Sequence, residues 1–296
     1  MSMVRSMIRT VVRKVTRHCN RYGKSANYKQ VSYFLYADTE KRPRKKKTET
    51  TIPQKKILNT RRAIKYFEAL VHTNFGKNDL LVGLSFSEEN APANYDEARK
   101  HVVNYIKRIN REREKRGLPK VKYIAVYEQS SKGRIHVHII MDGRLDRDIV
   151  EQKWGKGYAN SKRLQLDKKY QLKKLVSYLS KDPQGKRRWS PSQNLIKPWE
   201  SVNDNPRMMS KKKMRFMAEM PQDSEHIRKM IELDNPGYQA IEIEKFFNED
   251  TGQWYFYADM VRVSCANVQN FVDNYQDFAI LEDGEWIRPP RVSRPQ

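Results

Sequence analysis

The sequence predicts an α+β fold built on an antiparallel sheet, and three observations carry that prediction. Short apolar strand patterns alternate with amphipathic helical ones between residues 76 and 185. Two of those strands are joined by a turn too short for anything but an antiparallel pair. The helical stretches are each apolar on one side, so they suit a sheet that they back. Residues 58–75 open the series, with Leu58, Ile64, Phe67 and Leu70 spaced for one helical face. Leu80 to Phe86 reads as a buried strand after the Lys77-Asn78-Asp79 turn. From Asp96 to Arg116 the stripe Ala98, Val102, Ile106, Ile109 predicts a helix, which Gly117 and Pro119 end.

Two strands follow, Val121–Glu128 and Arg134–Met141, joined by Ser130-Ser131-Lys132-Gly133. A short helix is expected around Asp148–Trp154, then a glycine-containing connection, then a helix from about Lys168 to Lys181 that Pro183 and Gly185 stop. Beyond residue 186 the pattern is less regular. Ile241–Phe247 and Trp254–Val261 resemble a hairpin, and Asp223 or Ser224 suits the cap of a helix ending before Pro236-Gly237. The expected organisation is a basic N-terminal arm at 1–57, a catalytic domain with its lead-in helix at 58–185, and a C-terminal accessory region at 186–296.

The 296 residues carry a formal net charge of +24, which points to phosphate backbones or anionic membrane surfaces as partners. No run of about 18 apolar residues exists, and the mean hydropathy is −0.90, so no membrane span is expected. The first twenty residues lack acids, and Met3, Val4, Met7, Ile8, Val11, Val12 and Val15 recur at helical spacing. That pattern suits a transit peptide or an interfacial helix, or simply a basic arm in a basic chain. The Lys41–Lys47 run reads equally as a solvated tail or a DNA-contacting arm. Only Cys19 and Cys265 are present, which excludes a disulfide framework and a cysteine-rich zinc site and fits a reducing cytoplasm. Gly23-Lys24-Ser25 looks like the end of a phosphate loop, but His18 stands where its first glycine belongs, so any unwinding must come from a partner.

Any metal site must then use histidine and carboxylate. Ile135-His136-Val137-His138-Ile139 alternates, so in a strand both imidazoles share one face and the apolar residues anchor the other. The plainer reading is a pair of partly exposed strand histidines. A hairpin centred on Lys132 puts Glu128 opposite His136 and position 126 opposite His138, and opposed residues stand about 5 Å apart on one face. Glu128, His136 and His138 thus form a candidate three-ligand site, suited to manganese or magnesium.

Tyr178-Leu179-Ser180-Lys181 follows 40 residues after His138. Leu172, Leu175, Val176 and Leu179 define that helix's apolar stripe. Tyr178 falls about 110° from the stripe's centre and Lys181 nearly opposite it. A tyrosine at that flank projects its hydroxyl into a cleft, and Lys181 favours the phenolate and holds a phosphate or proton. The plainer reading is a boundary tyrosine beside a surface lysine. Tyr170-Gln171-Leu172-Lys173 fits the same spacing, which makes Tyr170 the second candidate nucleophile.

Taken in order, the Leu81–Phe86 strand, His136-Val137-His138 and Tyr178–Lys181 resemble the replication-associated proteins of bacterial phages and plasmids in the HUH endonuclease superfamily. The resemblance spans about residues 55–200 and includes Trp189-Ser190 and Asn194-Leu195 after the tyrosine helix. It implies a sheet of about five strands backed by helices, with Glu128, His136 and His138 on the exposed sheet face. It also implies a metal-dependent, site-specific nickase with strand-transfer activity: a rolling-circle initiator leaving a 5′-phosphotyrosine and a free 3′-OH. Its partners would be single-stranded origin DNA, a host helicase and a host DNA polymerase, in the bacterial cytoplasm. Arg134, Lys174 and the Lys186-Arg187-Arg188 cluster are the basic residues expected to touch DNA. Position 174 is lysine where some relatives carry a second tyrosine, so a single-tyrosine mechanism is implied. Glycine at 83 and serine at 85 make the first motif imperfect. A single-tyrosine transposase shares both motifs but usually lacks long flanks, and a non-catalytic basic DNA-binding protein with an incidental His pair is the rival from another class.

Overall fold

The computed structural model describes residues 10–20, 26–37, 53–167, 170–180, 188–248 and 252–263, and two short strands at 279–280 and 286–287. In chain order the elements begin with β1 (Thr10–His18), β2 (Tyr28–Ala37), α1 (Pro53–Asn74), β3 (Leu80–Ser85) and α2 (Tyr95–Lys115). There follow β4 (Tyr123–Gln129), β5 (Ile135–Met141), α3 (Arg147–Gln152), β6 (Ala159–Arg163), α4 (Lys173–Leu179) and β7 (Ser190–Pro191). The last are β8 (Trp199–Asp204), α5 (Lys211–Glu219), α6 (Glu225–Leu233), β9 (Tyr238–Asn248), β10 (Gln253–Arg262), β11 (Ala279–Ile280) and β12 (Trp286–Ile287). The fold is α+β. It divides into two compact units, one made of Glu49–Pro198 and one of Met1–Thr48 with Trp199–Gln296.

The Glu49–Pro198 unit holds an antiparallel five-stranded sheet in the order β6-β3-β5-β4-β7. Alternation along the strands sends side chains to two cores. On one face Val82, Leu84, Val137 and Ile139 pack with Val102, Tyr105 and Ile109 of α2. Each of these apolar side chains is almost fully buried, worth about 2 kcal/mol apiece. On the other face Ile124, Val126 and Ile140 pack against Phe67 and Val71 of α1 and Val176 and Leu179 of α4. β5 is therefore held rigidly from behind while His136 and His138 stand on the second face.

A tight loop fixes the β4–β5 register. Gly133 adopts φ +78°, a conformation that favours glycine, and its N–H donates to Ser130 O at 2.8 Å. The resulting pairs are Glu128 with His136 and Val126 with His138.

Several elements differ from the sequence expectations. β6 stands where a connection was expected, because its one inward residue is Ser161, buried through hydrogen bonds to Glu151 rather than by apolar packing. The expected helix from Lys168 begins only at Lys173. Before it, Asp167 accepts from Tyr170 N at 2.8 Å and Gln171 has φ +51°, so the chain turns and Tyr170 precedes the helix.

The other unit is a five-stranded antiparallel sheet in the order β8-β1-β2-β10-β9. Met214 and Met217 of α5 and Ile227, Met230 and Ile231 of α6 pack on Val12, Val31, Phe256 and Met260. Ser224 is the α6 cap, accepting from His226 N. Residues 1–57 read as a basic arm in the sequence, yet Thr10–His18 and Tyr28–Ala37 are strands and α1 starts at Pro53. The helical spacing of Val11, Val12 and Val15 yields to the β-branched content of Thr10-Val11-Val12-Arg13-Lys14-Val15-Thr16 once partner strands exist. Arg13 and Arg17 are ion-paired to Asp204 and Glu200 across β1 and β8.

Candidate metal centre and tyrosine

Three side chains converge on the α1/α4 face of the first sheet. His136 Nε2 lies 3.0 Å from Glu128 Oε2, and His138 Nε2 lies 3.4 Å from the same oxygen. One ligand atom from each of the three falls within 4.8 Å of the others, a convergence of His, Cys, Asp and Glu side chains that occurs nowhere else among the described residues. Adjacent ligands of an octahedral ion with bonds near 2.1 Å stand about 3 Å apart, so the separations suit a divalent cation. All three side chains are part-buried, between 17% and 33% exposed.

His138 gives the clearest sign of an intended ligand. Its Nε2 is buried and has no hydrogen-bond partner among the described residues, since the 3.4 Å approach to Glu128 lacks hydrogen-bond geometry. Such an orphaned polar atom is costly unless something binds it. Burial holds the His138 pKa below the ordinary imidazole value, against the opposing pull of Glu128, and His136 and Lys162 add to the lowering. The ring is thus neutral near neutral pH and its nitrogen lone pair is free to coordinate.

The Tyr178 ring stands edge-on to His138, with centroids 5.7 Å apart, and Tyr178 is 48% exposed. α4 places it there. Val176 and Leu179 bury the helix against α1, and His72 of α1 accepts from Leu172 N at 3.2 Å to fix the helix start. Tyr178 then falls at the flank, between core and solvent. Tyr170, Lys173, Lys174, Ser177 and Tyr178 line one open groove, so the second candidate tyrosine belongs to the same surface.

Residues 79–183 match the model of a family of replication-associated proteins, the ORF2 type. This replication-associated segment covers a little over a third of the chain and contains Glu128, His136, His138, Tyr178 and Lys181. The match supports a replication-initiator family, and with it a role in replication and binding to DNA. No curated protein and no solved structure matches the chain. No helix among the described residues is long and apolar enough to cross a membrane.

The remaining candidates are placed as follows. Lys181, Lys186 and Arg187 lie outside the described residues. Arg188 donates to Thr60 of α1 at 2.6 Å. Arg134 is exposed in the β4–β5 turn and paired with Glu88 at 2.8 Å. Lys174 pairs with Asp167 at 2.6 Å and stands over the Tyr170 ring. Sequence reasoning passes over the β6 residues that share the ligand face, because an exposed edge strand shows no apolar alternation to find.

Proposed function

We propose that the chain initiates rolling-circle replication by nicking single-stranded origin DNA with Tyr178, and that Glu128, His136 and His138 hold the divalent ion, manganese or magnesium, that the reaction needs. The observation carrying this reading is the Tyr178 ring beside His138, on the face where the three ligand atoms converge. When bound there, a divalent cation polarises the scissile phosphate. Tyr178 Oη forms the new bond to phosphorus and the phosphorus–O3′ bond breaks. The departing 3′ oxygen takes up a proton and becomes the 3′-OH that primes a host polymerase. Lys181, three residues on from Tyr178, is proposed to hold the phenolic proton or a phosphate oxygen. The 5′-phosphotyrosine conserves the bond energy, so the same atoms in reverse rejoin strands without a nucleotide. The sequence carries no phosphate-loop motif, so strand separation falls to a host helicase.

The test is an oligonucleotide labelled at its 3′ end, incubated with the full chain and manganese and run on a denaturing gel. The wild type gives a protein-linked label. Tyr178→Phe gives none, while Tyr170→Phe still does. An adduct that survives Tyr178→Phe and disappears with Tyr170→Phe moves the nucleophile to Tyr170. Absence of any wild-type adduct removes the nickase reading.

A further inference from the structure

We propose that β6 and the small residues of β3 form a seat for single-stranded DNA beside the ligand trio, in which Tyr158 stacks a base, Asn160 reads a base edge and Lys162 holds a phosphate. The assignment of DNA as occupant rests on the nickase reading; the seat itself rests on the register. Gly83 pairs with both Asn160 and His138, so these three residues form one row across the sheet. Ser85 pairs with His136, and its N–H donates to Tyr158 O at 2.9 Å, which makes Tyr158, Ser85, His136 and Glu128 the neighbouring row. Lys162 pairs with Leu81 one row further along. Tyr158, Asn160 and Lys162 therefore project on the same face as the imidazoles, two strands away, about 10 Å at the usual strand spacing.

Between the two lines of side chains the floor is low. A Cβ built on Gly83 meets only the backbone oxygen of Asn160, at 4.0 Å, so the space above this strand is open. Ser85 leans the other way, its hydroxyl 3.3 Å from Tyr158 O. The result is a trough with the ligands on one wall and an aromatic ring, an amide and an amine on the other. Tyr158 is 69% exposed, which an apolar ring does not gain by folding. Its position is enforced by Gly157, at φ +145°, where a Cβ would run into Ser85 O, Ser87 N and Phe86 C. Only glycine lets the chain press this closely on the end of β3 and deliver the ring to the edge of the trough.

The chemistry of the wall selects an unpaired strand. Successive side chains on one strand face are about 6.7 Å apart, more than the roughly 3.4 Å between stacked bases in a duplex. A strand held along β6 would be stretched, with its bases splayed, the state in which base edges are read and rings stack on aromatic side chains.

The test uses the full chain carrying Tyr178→Phe, so that binding of a fluorescent single-stranded oligonucleotide is read without cleavage. Tyr158→Ala should weaken binding roughly 5- to 150-fold, the range for loss of one stacked base, and Tyr158→Phe should restore it. Gly83→Val should also weaken binding by filling the trough, while manganese binding measured without DNA stays at the wild-type level. Unchanged oligonucleotide affinity in both Tyr158→Ala and Gly83→Val overturns the seat even where wild-type adduct formation upholds the nickase. Weakened binding by these variants in a chain that forms no adduct keeps the seat and removes the nickase.

Discussion

In the Glu49–Pro198 unit the Glu128–His136 pair closes over 8 residues, through a loop whose turn chemistry is written locally. In the other unit Arg13 meets Asp204 across 191 residues, and Lys14 reaches Asp234 across 220. Both units are five-stranded antiparallel sheets with helices packed on them, so the difference lies in reach and not in architecture. A sheet assembled from neighbouring segments can be read one hairpin at a time. A sheet whose central strand β2 lies between β1 and the distant β10 cannot, because nothing near Tyr28–Ala37 names its partner.

The sharpest way to break this contrast is to separate the units. Residues 49–198 expressed alone should still form the covalent adduct, and His138→Ala in that segment should take it below detection, as should chelation of the metal. An inactive segment would show that the chemistry depends on the second unit.

Next in size is removal of residues 1–37 from the full chain, which takes away β1 and the central β2. Amide exchange should then lose its protection over β9 and β10 while β4 and β5 remain protected. Retained protection in β9–β10 would mean that the second sheet stands without its centre. Smaller again is a matched pair of core truncations. Ile139→Ala and Phe256→Ala, both 0% exposed, should each cost about 2–5 kcal/mol. Each loss should be confined to its own unit in denaturant-exchange profiles. A loss shared equally by both would make the chain a single cooperative block.

The smallest expected effect is electrostatic. Lys29 is buried in the discontinuous unit, bonded to Asn235 at 2.9 Å, and burial lowers its pKa from 10.5 to about 7. The unfolded chain therefore binds the proton more readily between pH 7 and pH 10.5, and the cost of burying this charge shrinks as pH rises through that window. Below pH 7 both states are protonated and the cost is constant. Lys29→Met should raise the thermal midpoint at pH 7 and remove this residue's share of the pH slope between 7 and 10.5. A slope unchanged by the substitution would show that other groups set it.

How much of the molecule was legible follows the same division. The two-residue period of His136 and His138, and the glycine that lets Gly133 close the loop, are local signals, and they suffice to bring Glu128 to His136. The helical stripe placed Tyr178 at a flank, but only the packing of α4 on α1 sets its ring against His138. β6 escaped notice because Ser161 is buried by hydrogen bonds to Glu151, which leave no trace in an apolar pattern. β1 and β2 escaped because their valines and tyrosines carry no mark of the strands they join far later in the chain. Charge was read well as composition and poorly as position: Arg13 and Arg17 belong to ion pairs with Asp204 and Glu200 inside a sheet, whatever the net +24 says about the chain's partners.

The interrupted sheet also sets an order of events during synthesis. β1 and β2 leave the ribosome first, as a two-stranded ribbon that is marginal by itself. Its helix-side residues Val12, Val31 and Tyr33 stay uncovered until β10 has been made, more than 200 residues later. At about 5–20 residues per second that wait is on the order of 10 to 40 s, far longer than a hairpin needs to form. The intervening unit, Glu49–Pro198, completes its own core in the meantime. The replication-associated segment is thus folded before the unit that brackets it has closed, and an apolar ribbon waits beside the growing chain for chaperones to shield.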